Sequence, residues 1–182
     1  VENHVATSLA QSLAAGDPEA FAALYDRLAT RLLGTARTMT GSIADAEDVV
    51  HDLFVDLARG RARLATVADL DAYAFTMLRH AVGKRRRRSA IDRRAGERVA
   101  VERQATDRTV ATADPGGDAD LAAALAALPA EQREVIALKI DGGLTFAEIA
   151  AVTGTSPNTA ASRYRYALEK LRAHLTTSEA HR

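Results

Sequence analysis

The chain has 182 residues, a formal net charge of zero and 47% hydrophobic side chains, but only 4% aromatics, no Trp and no Cys. The missing cysteines exclude disulfides and thiolate metal sites, and the scarcity of rings implies a thin aliphatic core of the kind small helical modules use. No run approaches the ~18 apolar residues of a membrane span, and the N-terminus lacks a basic-then-apolar leader, so a cytoplasmic protein without membrane insertion is expected.

Nearly every segment reads as helix, and the predicted fold class is all-α. Asp17-Pro18-Glu19 is a start signal: Asp accepts from free N–H groups, Pro fits the first turn and Glu complements the dipole. Phe21, Leu24, Tyr25, Leu28 and Leu32 then recur at helical spacing until Gly41. Ser42 to Asp45 resembles a capping box opening a second helix, with Val49, Val50, Leu53, Phe54 and Leu57 on one face. Gly60 to Ala68 reads as a basic loop. A third helix begins near Asp69 and runs through Tyr73, Met77, Leu78 and Val82 into KRRRR. No alternating strand pattern of useful length appears.

Periodicity fades between about Gly96 and Asp120, where DPGGD (Asp114 to Asp118) is a strong breaker. The expectation is a flexible linker over 96–120, between an N-terminal helical domain (1–95) and a C-terminal one (121–178). In the second unit Pro129 opens a helix bearing Val135, Ile136, Leu138 and Ile140, which Gly142-Gly143 ends. A short helix over Thr145 to Val152, a turn over Gly154 to Pro157 and a long helix over Asn158 to Leu175 follow.

Those last elements have the spacing of a helix-turn-helix. Ala150 permits close helix crossing, Gly154 takes the left-handed turn conformation, and Ser156 caps the next helix with Pro157 at its first position. Ala160, Tyr164, Ala167, Leu168, Leu171 and Leu175 form its apolar face. The other face offers Asn158, Thr159, Ser162, Arg163 and Arg165, with Tyr166 placed to be exposed. Short polar and Arg side chains near a helix N-terminus suit groove reading and phosphate anchoring. The same pattern would also serve a hairpin that merely packs, with Arg163 as a surface ion-pair partner.

Two charged stretches stand apart. Asp45 to Asp56 holds five acids and no Lys or Arg, and Asp45, Asp48, Asp52 and Asp56 share one stripe away from the apolar face. Mutual repulsion makes intrinsic stability a poor explanation. Glu47 and His51, four apart, would make only a weak and generic metal site, so a docking surface for a basic or polar partner fits better. Lys84 to Arg94 carries seven cations among eleven residues; alone, it could be a solvated run or a polyanion contact.

Taken together, FAALYDRLATRLLGTARTMTGSIADAEDVVHDLFVDLARG, DAYAFTMLRHAVGKRRRR and LAALPAEQREVIALKIDGGLTFAEIAAVTGTSPNTAASRYRYALEKLR resemble an extracytoplasmic-function (ECF) sigma factor of bacterial RNA polymerase. The resemblance implies that the acidic helix (Asp45, Asp48, Val49, Asp52, Leu53, Asp56) docks the clamp helices of core polymerase. It implies that Arg61 and Arg63 of the basic loop, with Tyr73, Arg79, His80, Lys84, Arg85, Arg86, Arg87 and Arg88, recognise and help melt the −10 promoter element. The helix-turn-helix residues Asn158, Thr159, Ser162, Arg163, Arg165 and Tyr166 would read the −35 element. Four consecutive arginines cover more than one helix face, so two or three are expected on DNA and the others solvated or against polymerase. The chain departs from the family pattern at Tyr73, where Trp is common, at His80 for Asn, at Lys84 for Asp and at Ala160-Ala161 for Val-Lys. Those departures bear on which promoter is read. The resemblance also implies an anti-sigma protein as a partner.

The competing readings are an autonomous helix-turn-helix regulator, which leaves the acidic helix idle, an adaptor binding nucleic acid through the arginines, and an enzyme. No Ser/His/Asp set, phosphate-cradling Gly loop or metal cluster emerges, so catalytic residues, metal and cofactor are all expected to be absent.

Overall fold

The computed structural model describes residues 2–99 and 118–179, with side chains over 9–88 and 119–176. It is helical throughout these residues: α1 (Glu2–Ala15), α2 (Pro18–Thr40), α3 (Ile43–Arg59), a 3-10 segment (Arg61–Thr66), α4 (Leu70–Val99), α5 (Asp118–Ala127), α6 (Ala130–Ile140), α7 (Phe146–Thr153) and α8 (Pro157–Glu179). The expected linker lies largely outside the described residues. Its first residues continue α4, and its last open α5.

Local signals set the helix ends. The Asp17 carboxylate accepts the Glu19 N–H at 3.0 Å, with Pro18 at the first helical position of α2, and Gly41 closes that helix at φ 77°. Ser42 Oγ accepts from Asp45 N at 3.2 Å to start α3, and Asp69 Oδ1 accepts from Ala72 N at 2.9 Å at the start of α4. The expected basic loop is instead a 3-10 segment, anchored by the buried Leu64. Helix α1, which no start signal marks, is held by Leu9 and the fully buried Leu13, and lies against the 3-10 segment.

The larger core cluster is aliphatic with few rings. Leu24, Leu28 and Leu32 of α2, Val49, Val50, Leu53 and Leu57 of α3, and Phe75, Leu78 and Val82 of α4 fill it. Two positions of the expected apolar faces turn outward. Tyr25 is 53% exposed, laying its ring on Phe54 at 4.8 Å, and Ile140 is 61% exposed. Both helices keep enough Leu and Val on the inner face without them.

The same cluster continues into the C-terminal half through Val135, Ala137, Leu138, Leu144, Ile149, Val152 and Ala160. A second, smaller cluster joins α5, α6 and α8 through Ala124, Leu128, Ile136, Ala167 and Leu171. Helix α6 packs on α2, and α7 packs on α4. The two halves are therefore docked against one another. At the contact Arg31 donates to the Gly142 carbonyl through Nε (3.0 Å) and Nη2 (2.6 Å), while its Nη1 pairs with Asp71 at 2.8 Å. Thr38 Oγ1 donates to Asp141 at 2.7 Å, and Arg79 pairs with Glu134 at 2.8 Å.

Candidate nucleic-acid interface

The helix-turn-helix is built from α7 and α8. Thr145 and Glu148 form a reciprocal capping box: Glu148 N donates to Thr145 Oγ1 at 3.3 Å, and Thr145 N donates to the Glu148 carboxylate at 2.6 Å. The Glu148 pKa lies below its ordinary value, chiefly because the Thr145 backbone N–H donates to it, with the Thr145 hydroxyl next. Gly154 ends α7 at φ 67° with open space around its Cα, so the left-handed backbone, not crowding, asks for glycine there. Ser156 Oγ accepts from Thr159 N at 3.0 Å and fixes the start of α8.

The start of α8 thereby presents its polar face in a set orientation. Positions 158, 159, 162, 163, 165 and 166 fall on one stripe. Asn158, Thr159, Arg165 and Tyr166 are exposed, and Ser162 is half-buried. The Arg165 guanidinium lies 5.2 Å from the Tyr166 ring centre. Arg163 is engaged: its Nη2 stands 2.5 Å from the Glu131 carboxylate of α6. Tyr164 packs inward, its ring 5.6 Å from Phe146.

The second basic surface is the middle of α4. Lys84, Arg86, Arg87 and Arg88 are exposed, as is His80, and Arg61 and Arg63 are exposed on the 3-10 segment. Arg85 differs from its neighbours. One Asp45 oxygen accepts from its Nε at 2.8 Å and its Nη2 at 2.5 Å, and Asp48 accepts from Nη2 at 3.1 Å. The Asp45 hydrogen bond is the leading cause that raises the Arg85 pKa above its ordinary value. Arg85 thus fastens α4 to α3. Arg86 projects its field toward α6, where burial first and Arg86 second hold the Arg133 pKa below its ordinary value. Arg133 itself donates to the Ala126 and Leu128 carbonyls at 2.8 and 2.9 Å, tying the end of α5 to α6. Tyr73 is half-buried against the core, and Arg79 is held by Glu134.

On α3 the acidic stripe faces outward at Asp48, Asp52 and Asp56, with Asp45 half-buried beneath Arg85. Val49 and Leu53 sit in the core at 4% and 2% exposure. They hold the helix down and offer no surface to a partner, because they lie on the inward face of the amphipathic helix and the acids on the outward one. Sequence reasoning passed over Arg31, Thr38, Glu134 and Asp141, which join the two halves; no local pattern marks them. The arrangement offers two cationic surfaces and one acidic surface. Among the described residues no group of three metal-ligating side chains occurs, and no helix is long and apolar enough to cross a membrane.

Comparison with known proteins agrees with this layout. Residues 24–91 match the Sigma-70 region 2 family model and residues 118–171 the Sigma-70 region 4 model. The chain is 30% identical to the ECF RNA polymerase sigma factor SigK of Mycobacterium ulcerans, over 94% of each chain. It is 32% identical to SigL of Mycobacterium tuberculosis, over 89% of this chain and 92% of that one. Among solved structures it resembles CnrH in complex with the cytosolic domain of CnrY, at 28% identity and a TM-score of 0.66, covering 94% of this chain and 97% of that one. It also resembles the sigma factor RpoE in complex with the anti-sigma factor NepR from Bartonella quintana, at 26% identity and a TM-score of 0.64, covering 80% and 89%. An acidic-faced helix, an arginine-rich helix and a helix-turn-helix, in the order of regions 2 and 4, place the chain among the extracytoplasmic-function sigma factors of bacterial RNA polymerase.

Proposed function

We propose how the residues of this sigma factor divide the work of directing polymerase to a promoter. The face of α8 at Asn158, Thr159, Ser162, Arg163, Arg165 and Tyr166 reads the −35 element, with short polar groups and Arg at the groove. Lys84, Arg86, Arg87 and Arg88, with Arg61, Arg63, Tyr73, Arg79 and His80, meet the −10 element, where unstacked bases need flat partners and the displaced backbone needs cations. The outward acids Asp48, Asp52 and Asp56 dock the clamp helices of core polymerase. The observation that carries this division is the segregation of exposed charge: acids on the outer face of α3, bases on α4 and α8.

The protein catalyses no bond change; it contributes binding free energy to a complex whose polymerase performs the chemistry, in the cytoplasm. Since both solved relatives are captured with CnrY or the anti-sigma factor NepR, an anti-sigma protein is assigned here as a further partner. The functional units are residues 1–95 and 121–178, joined across 96–120.

Run-off transcription with purified core polymerase tests the assignment. Promoter-dependent transcripts that require this chain, and that vanish when the α8 face is replaced by Ala, support it. Specific duplex binding by the chain alone, with no polymerase-dependent transcript, would point instead to an autonomous regulator.

A further inference from the structure

Helix α1 (Glu2–Ala15) lies ahead of the stretch that the region 2 model matches, and it carries none of the residues assigned to DNA or polymerase. Its main neighbour is the 3-10 segment (Arg61–Thr66). That segment needs support. A 3-10 helix has poor hydrogen-bond geometry and seldom runs past about three or four residues. This one spans six, starts without a side-chain cap and buries only Leu64. Leu64 joins the core cluster that also takes in Ala10 and Leu13 of α1.

The end of α1 is shaped around one side chain of the segment. Asp17 N donates to the Ser12 carbonyl at 3.1 Å and Gly16 N to the Leu13 carbonyl at 3.0 Å. This paired closure places Gly16 in the left-handed region at φ 85°. Arg61 lies across the turn. A Cβ at Gly16 would stand 2.9 Å from Arg61 Nε, 3.3 Å from its Cδ and 3.5 Å from its Cζ, so the arginine occupies the space that a side chain there would fill. The last carbonyls of a helix carry partial negative charge, which favours a cation at that end. Among the described residues Arg61 enters no ion pair, unlike Arg85, whose charge two aspartates meet.

We propose that α1 serves promoter reading from a distance: its closing turn at Gly16 seats Arg61, so that the 3-10 segment offers this arginine to the displaced strand in one orientation. Gly16 is a positioning residue that acts through Arg61. An arginine already held in place loses less side-chain freedom on meeting a phosphate than one that must first be ordered. The proposal rests on the assignment of Arg61 to the −10 element made above.

Gly41 supplies the control. It ends α2 at φ 77°, with open space where a Cβ would stand. Gly16→Ala and Gly41→Ala therefore impose similar backbone strain, but only the first must push Arg61 aside. With saturating core polymerase and a promoter fragment selected from a random-sequence library by the wild-type holoenzyme, Arg61→Ala and Gly16→Ala should each flatten the slope of log affinity against log salt by about 0.7, the share of one single-strand phosphate contact. The double variant should flatten it no further, and Gly41→Ala should keep the wild-type slope. The seating is overturned if Gly16→Ala matches Gly41→Ala while Arg61→Ala still flattens the slope, or if the two effects add in the double variant. An unchanged slope for Arg61→Ala would remove Arg61 from the −10 interface, and the seating role with it. Nuclear magnetic resonance of the free wild-type chain reads the seat without any substitution: Overhauser contacts between Arg61 Hδ and Gly16 Hα protons support it, and their absence refutes it.

Discussion

The arginine run offers a prediction in which neighbouring side chains of one type should behave differently. Arg85 is clasped by Asp45 and Asp48, whereas Arg86, Arg87 and Arg88 are exposed. Each phosphate neutralised contributes about 0.7 (single strand) to 0.9 (duplex) to the slope of log affinity against log salt. If all three exposed arginines meet phosphates, replacing them together with Ala should flatten the slope of the holoenzyme on its promoter by about 2 to 3. Between 50 and 200 mM salt that corresponds to a loss of roughly 20- to 40-fold in salt sensitivity. Arg85→Ala should leave the slope within error of wild type, because its charge is already answered inside the protein. The assay is fluorescence anisotropy of a labelled promoter fragment across a salt series, with saturating core polymerase. A flattening by Arg85→Ala as large as that from Arg86→Ala would refute the division.

Packing, charge and capping each carry a further expected outcome. Leu138 is 1% exposed in the core shared by both halves, so Leu138→Ala should cost about 2–5 kcal/mol, and both halves should melt together in calorimetry; two separated transitions in the wild-type chain would contradict the shared core. Asp52→Lys, on the outer face of α3, should weaken co-purification with core polymerase while leaving the melting temperature unchanged. Because the Glu148 pKa is depressed in the fold, its capping contribution is fully present above the ordinary glutamate value of 4.5 and is lost as pH falls through the lower folded value. Glu148→Gln should remove that acid-side decline, seen as a flatter dependence of melting temperature on pH below the ordinary glutamate range.

Much of this architecture is legible locally. Asp17-Pro18, Ser42, Gly154 and Ser156 each fix a helix end through contacts within a few residues, and the structure uses every one of them. The inward face of α8 and the outward Tyr166 follow from a single period. Helix α1 was legible in principle, from Leu9 and Leu13 one turn apart and Gly16 at φ 85° beyond them, but it lacks a capping signal. What periodicity does not carry is tertiary choice. Nothing around Arg31 distinguishes it from any exposed helical arginine, yet it joins residues 111 apart in sequence. Arg85 and Arg86 are likewise equivalent in sequence, and only the position of α3 separates them. Val49 and Leu53 belong to the same helix as the acidic stripe, so an assignment by motif gathers them with it; their burial separates the face that holds the helix down from the outward acids.

The pairing of Arg163 with Glu131 bears on the −35 reading proposed for α8. If Arg163 meets a phosphate as proposed above, that phosphate competes with the Glu131 carboxylate for Nη2, so part of the gain is a difference between two ion pairs. The Glu131 side chain is 68% exposed, and once released it would present its own negative charge toward the incoming backbone. Arbitrary DNA, which offers charge without matching bases, would gain least from such an exchange, whereas a matched site would add the base contacts proposed for Asn158 and its neighbours. On the proposed assignment the ion pair would act as a filter on charge-only binding, trading some raw affinity for a wider gap between the right sequence and all others.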